Sequence, residues 1–349
     1  QGQNLAAAQA DAVTAKEMGA FGDLSMNSVT QPYSQDLASE QVIAFGAVFM
    51  PQSWFETYAP YEYSTVPTGT KWSDLWANTI CARMAGLPAA FSGNMTSQGR
   101  RFGLLVGDAP TYQEDGNELQ SQLRAQCGVG VARRVAYTIN FADYTQQAVN
   151  VIAQMKAAGV TTLVCGCDPI MMGELSNAAD QQQYFPEYLT VYWGDPAARL
   201  SSSDQWSHAL VNGGQSPAAK ATESYAAFKR IAPNSEPAEQ YFPAPYEDLL
   251  QIFAGLQAAG PDLTPATFER GMFSLPPSMA GGDYGDWSFG AGSFTPGVDT
   301  RLGWWSPSST SNYDGMKGAW ENCESGRWLH YAATSDYGSP HTQLHCFGK

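Results

Sequence analysis

The chain has 349 residues, 44% of them hydrophobic, and a formal net charge of −15, with 18 Lys and Arg against 33 Asp and Glu. That length suffices for two α/β lobes with sizeable cores, and the acidic balance repels phosphate backbones, which argues against a nucleic-acid partner. No apolar run of about 18 residues occurs, so no membrane span is expected, and no charged-then-apolar leader opens the sequence.

The first elements are short. Leu5 to Met18 has helical character, "AFGDLS" is strand-like, Tyr33 to Ser39 is helical and "VIAFG" is a strand. A polar, aromatic connection is expected from Pro51 to Thr70, then a helix near Trp72–Met84.

The middle of the chain carries the clearest pattern. "RFGLLV" is a short apolar run of the kind found in a buried parallel strand. A loop with Asp108, Pro110 and Tyr112 leads into a helix carrying Leu119 and Leu123 and stopped by Gly128. "VGVARRVAYT" is a second strand. Asp143 is an expected N-cap, and Tyr144, Ala148, Val151, Ile152 and Met155 share one helical face up to Gly159. "VTTLVCG", a helix from about Ile170 to Gln181 and "EYLTVYW" continue the alternation. Strand and helix in such alternation mean a parallel sheet with right-handed crossovers.

Beyond it, "LSSSDQW" reads as a loop, and helices are expected over Ala219–Ile231, around Tyr246–Leu256, and after Thr264-Pro265 with proline in the first turn. From Met279 the chain is rich in Gly, Ser and Trp, with "TRLGWW" as a late strand and Gly290-Ala291-Gly292 as a turn.

Motifs for chemistry are sparse. No G-x-S-x-G elbow, phosphate loop or strand-linked G-x-G-x-x-G occurs. His341 and His345 have i, i+4 spacing beside Cys346, but in an irregular segment, so no metal is expected, and no cofactor is implied. The six cysteines, Cys81, Cys127, Cys165, Cys167, Cys323 and Cys346, lack C-x-x-C knuckles. Disulfides and buried thiols both remain open, and a Cys323–Cys346 bridge would tie down a tail with little core of its own. Ligands of open parallel sheets sit outside the carboxyl ends of the strands. Those positions hold Ser25, Asn27 and Ser28, then Gly46 to Phe49, Asp108 and Tyr112, Cys167 and Asp168, and Trp193 to Asp195. Hydroxyls, aromatic rings and acids there suit a small polar ligand, although Ser, Asn and Asp also favour turns.

The segments "RRFGLLVGDAPTYQEDGNELQSQL", "INFADYTQQAVNVIAQMKAAGVTTLVCGCDPIMMGEL", "YFPEYLTVYWGD" and "YEDLLQIFAGLQAAG", in this order and spacing, resemble the type I periplasmic-binding fold. The resemblance is to its branched-chain amino-acid (Leu/Ile/Val) type, the solute receptors of ABC transporters. It implies two doubly wound parallel-sheet lobes joined by a multi-strand hinge, with residues 1–97 and 213–295 in the first lobe and 98–212 and 296–349 in the second. The family's opening strand–helix unit has no counterpart here, so an incomplete first lobe is expected. Ligand contacts are implied at Ser25, Asn27, Ser28 and Ala47 in the first lobe, and at Asp108, Tyr112, Cys167 and Asp168 in the second. Asp195 lies near the family's acid for an amino group, and Tyr241, Phe242 and Tyr246 lie at the first-lobe rim. The implied function is extracytoplasmic capture of an amino acid or a larger aromatic solute for membrane permease subunits, without a chemical step. A ligand sensor on the same fold and an enzyme on a doubly wound sheet are the alternatives.

Overall fold

The computed structural model describes residues 4–28, 31–192, 194–237, 243–277 and 285–346. The chain divides into two units, Gln1–Trp72 with Tyr241–Asp299, and Ser73–Gln240 with Thr300–Lys349.

In the first unit, α1 (Leu5–Glu17) starts at Asn4, whose side chain accepts from Ala7 N. Strand β1 (Gly22–Ser28), helix α2 (Gln31–Ser39) and strand β2 (Ile43–Ala47) follow. The stretch expected as an open connection folds instead into α3 (Gln52–Tyr58) and the two-residue β3 (Glu62–Tyr63). Trp54 and Phe55 are buried there, so the aromatic residues fill a core and do not decorate a loop. The three strands form one parallel sheet in the order β1-β2-β3.

Helix α4 (Gly69–Arg83) leads into the second unit. Here the expected alternation is present: β4 (Phe102–Gly107), α5 (Pro110–Cys127), β5 (Val131–Tyr137), α6 (Tyr144–Ala157), β6 (Thr162–Gly166), α7 (Pro169–Gln181) and β7 (Glu187–Val191). Gly128 and Gly159 stop α5 and α6 in the left-handed region, at φ 67° and 65°. One detail differs from expectation. Asp143 makes no side-chain cap bond, because a 3₁₀ turn over Phe141–Asp143 precedes α6 and is capped by Asn140. After the single turn α8 (Asp195–Ala198), "LSSSDQW", expected as a loop, is helical in its second part, where Ser203–Trp206 forms the single turn α9 capped by Ser202. Strand β8 (Ala209–Asn212) and α10 (Glu223–Ile231) complete this stretch.

The chain returns to the first unit in α11 (Pro243–Ala259) and α12 (Pro265–Ser274), the latter held by a Thr264–Thr267 capping box. Phe268 of α12 packs edge-on against Phe21, Phe45 and Tyr63, with ring centroids 5.6–5.9 Å apart, which seats the helix on the three-stranded sheet. After β9 (Asp299–Thr300), strands β10 (Leu302–Thr310) and β11 (Lys317–Asn322) join the second unit's sheet, and β12 (Leu329–His330) pairs with β9. The large sheet runs β11-β10-β8-β7-β6-β4-β5, with β4 to β8 parallel and β10 and β11 antiparallel. Its core holds Leu105, Ile152, Leu163, Leu175, Tyr188 and Trp320, all fully buried.

All six cysteines are paired, as Cys81–Cys127, Cys165–Cys167 and Cys323–Cys346. The last closes the tail, one of the alternatives the sequence leaves open. Arg83 reinforces it by donating to the carbonyls of Tyr337, Thr342 and Gln343 and to Glu324. No described helix is long and apolar enough to cross a membrane.

Candidate functional site at the carboxyl ends of the strands

In the second unit the ends of β4, β5 and β6 converge on Asp168. This residue follows β6 and is the N-cap of α7, its Oδ1 accepting from Ile170 N (3.0 Å) and Met171 N (3.1 Å). Its Oδ2 accepts from the hydroxyls of Tyr137 (2.9 Å) and Tyr144 (2.6 Å). Asp168 N in turn donates to the Tyr137 oxygen at 3.2 Å. Tyr137 ends β5, and Tyr144 opens α6.

Tyr112, near the start of α5, is the third phenol of the group. Its hydroxyl is pushed above the usual phenol range by burial and then by the charges of Asp168 and Asp115. Tyr137 and Tyr144 are raised in the same direction, by burial first and by Asp168 next. All three therefore stay protonated at neutral pH, and Tyr137 and Tyr144 act as donors to Asp168. Gly107 makes room for Tyr112, since a Cβ there would meet the ring at 2.7 Å. Asp108 is exposed, takes its backbone bond from Asp108 N to Tyr137 O (2.8 Å), and accepts the Thr138 hydroxyl at 2.6 Å. Cys167, bridged to Cys165, adjoins Asp168 in the chain and is buried. Phe141 and Ile170 flank the cluster with 54% and 50% of their surfaces exposed, and the Phe141 ring lies 5.3 Å from that of Tyr144.

Asp195 lies elsewhere. It opens α8, is 1% exposed, accepts from the Ser311 hydroxyl (2.6 Å) and Trp320 N (3.1 Å), and so ties α8 to β10 and β11. Burial raises its carboxyl above the usual range, and these bonds partly offset that. Beside it, Tyr192 shares a 2.7 Å hydrogen bond with Ser216 and donates its backbone N–H to Asn212 Oδ1. Trp193 lies outside the described residues.

In the first unit, Ser25 on β1 faces Gly46 on β2 so closely that any side chain at Gly46 would overlap the Ser25 backbone. The Ser25 hydroxyl is buried without a hydrogen-bond partner among the described residues. Ala47 pairs with Ser28 in the ladder and is 1% exposed, so its side chain belongs to the core. Asn27 and Ser28 lie on β1, with side chains outside the described parts. Tyr241 and Phe242 lie outside the described residues, and Tyr246 is half-buried on α11. Among the described residues no group of three or more His, Cys, Asp or Glu is arranged to hold a metal. His341 instead sits 3.0 Å from Ala85 O.

The structure thus brings Asp108, Tyr112, Cys167 and Asp168 together and leaves Asp195 apart. Tyr137, Tyr144, Phe141 and Ile170 escape sequence reasoning as site residues. Tyr144 carries a helix-face signal that points to the core, and Tyr137 ends an edge strand of mixed polarity. Only the topology shows that both hydroxyls reach one carboxylate.

No protein-family model matches the chain, and no curated protein matches it. Solved structures do. An ABC transporter substrate-binding protein from Desulfitobacterium hafniense aligns at 18% identity and TM-score 0.57, over 90% of this chain and 85% of that one. A leucine-, isoleucine-, valine-, threonine- and alanine-binding protein from Brucella ovis, in a closed conformation, aligns at 12% identity and TM-score 0.63, over 97% and 84%. A solute-binding protein from Rhodopseudomonas palustris in complex with p-hydroxybenzoic acid aligns at 11% identity and TM-score 0.67, over 95% and 84%. The chain has the type I periplasmic-binding fold. At these identities the likeness concerns the fold, and the choice of ligand must be argued from this chain's own residues.

Proposed function

We propose that the protein is an extracytoplasmic solute receptor that captures a small molecule and presents it to the membrane subunits of an ABC transporter, with no chemical step. In this reading the two lobes close on the solute by hinge motion. The observation that carries the reading is the convergence of Tyr112, Tyr137 and Tyr144 on Asp168 at the carboxyl ends of three parallel strands. This is where ligands of such sheets are held. The fold likeness to ABC substrate-binding proteins supports it, and three disulfides suit an oxidising compartment.

The test is to purify the protein under native conditions, denature it, and identify released small molecules by mass spectrometry. Calorimetry against amino acids, their deaminated analogues, hydroxybenzoates and polyols accompanies this. A released solute, or a 1:1 binder with micromolar or tighter affinity, is expected. Absence of both overturns the receptor reading.

A further inference from the structure

We infer that the part of the solute meeting the second unit is an uncharged aromatic or branched apolar group, and that this unit makes no carboxylate contact to a ligand ammonium. The inference rests on the receptor reading and narrows its substrate class.

The carboxylates are the first observation. A carboxylate offers about four lone-pair sites. Asp168 fills four, with Ile170 N, Met171 N and the hydroxyls of Tyr137 and Tyr144. Asp195 is 1% exposed and faces Ser311 and Trp320 N. An ammonium could reach either acid only by displacing bonds that hold α7, or that join α8 to the sheet. Asp108 and Asp143 are exposed to water and already accept from the Thr138 hydroxyl and the Asn140 side-chain amide, so their attraction for a cation is screened.

The absence of any basic residue from the strand-end loops is the second. The loops 107–112, 137–144, 166–171, 191–195 and 212–216 contain Asp108, Asp143, Asp168 and Asp195 but no Lys, Arg or His. Arg301, whose stem lies against Gly214 beyond β8, is stacked on the Trp328 ring, so a ligand carboxylate directed at the ends of β4, β5 and β6 would meet no basic residue of these loops.

What the edge does offer is apolar surface. Phe141 and Ile170 are half-exposed, the Phe141 ring making an edge contact to Tyr144 and Ile170 donating its backbone N–H to Asp168. Exposed side chains of this size beside buried phenols provide a face for a ring or a branched chain. Asp168 then acts as a positioning residue, fixing Tyr137 and Tyr144 rather than touching the solute.

Calorimetry on the whole protein with matched pairs tests this: L-phenylalanine against 3-phenylpropionate, and L-leucine against 4-methylpentanoate. The deaminated member is expected to bind within threefold of the amino acid, or more tightly. Phe141→Ala and Ile170→Ala, both at exposed positions, are expected to weaken the tighter-binding probe about fivefold or more without lowering thermal stability. An amino acid binding more than threefold tighter than its deaminated partner overturns the inference and leaves the receptor reading intact. So does wild-type affinity in both variants. If no probe binds and no solute is released from native protein, the receptor reading fails and this inference falls with it. If a solute is released but no probe binds, the solute's own chemistry decides. An ammonium without which it does not bind overturns the inference, and an uncharged apolar group whose binding Phe141→Ala weakens supports it.

Discussion

Each unit buries a glutamate completely, and the two have opposite surroundings. In the second unit, Glu187 at the start of β7 meets Arg100 through Nε (2.8 Å) and a terminal nitrogen (2.9 Å). It also accepts from Phe91 N (2.9 Å) and the Thr162 hydroxyl (2.6 Å). In the first unit, Glu62 on β3 is 0% exposed, and neither carboxylate oxygen has a partner among the described residues. Burial drives the Glu62 carboxyl well above the usual range, so it is carried as the neutral acid. A buried carboxylate can thus be accommodated by pairing its charge or by suppressing it. The first route makes a partner indispensable, and the second makes stability depend on pH.

The largest effect should come from breaking the paired side of this contrast. Arg100→Met leaves Glu187 charged in the core and also strips a bond from Met84 O. It is expected to cost about 3–5 kcal/mol, as for other broken buried pairs. Denaturant melts of the second unit would show it, and a cost under about 1 kcal/mol would mean that Thr162 and Phe91 N alone satisfy Glu187.

Asp248 of the first unit sharpens the suppressed side. Burial raises its carboxyl to about 7, against a smaller opposing bond from Thr65. Between the unfolded value near 4 and about 7, the folded state holds the proton that the unfolded chain releases. Stability should therefore fall by a few kcal/mol as pH rises through that window and level off above it. Asp248→Asn should flatten that part of the profile and raise the melting temperature at pH 8 relative to wild type. A profile unchanged by the substitution would place the pH dependence on other groups.

At pH 5 the smallest effect is expected at Glu62→Gln, which replaces a neutral acid by a neutral amide of like shape. At pH 5 the change should stay within about 1 kcal/mol, in the range of substitutions that leave hydrogen bonding nearly unaltered. At pH 8 it should favour the variant. Chemical denaturation at the two pH values checks the sign.

The same contrast governs what could be read in advance. The second unit was legible because its strands are apolar runs and its helices end at Gly128 and Gly159, signals strong enough to stand alone. The first unit hid β3 because two residues give no periodicity, and one of them is a buried glutamate that sequence patterning assigns to the surface. β11 was hidden in "KGAWEN", where only Gly318, Ala319 and Trp320 are buried. In the candidate site, Tyr112 and Asp168 could be located by their distance from a strand end. The saturation of Asp168 could not, because its four donors come from three elements spread over 34 residues, from Tyr137 to Met171. The burial of Asp195 depends on Ser311 and Trp320, which lie more than 100 residues away in the chain.

The clasp on the tail bears on how the protein can be made. Arg83 alone gathers three carbonyls and Glu324, and Cys323–Cys346 locks the same segment. In a reducing cytoplasm the bridge would be open, and the tail would rest on Arg83 and on hydrogen bonds such as His341 to Ala85 O and Glu324 N to His345 O. Preparations from such hosts should therefore be mixtures in tail conformation, and an oxidising compartment should give a single species.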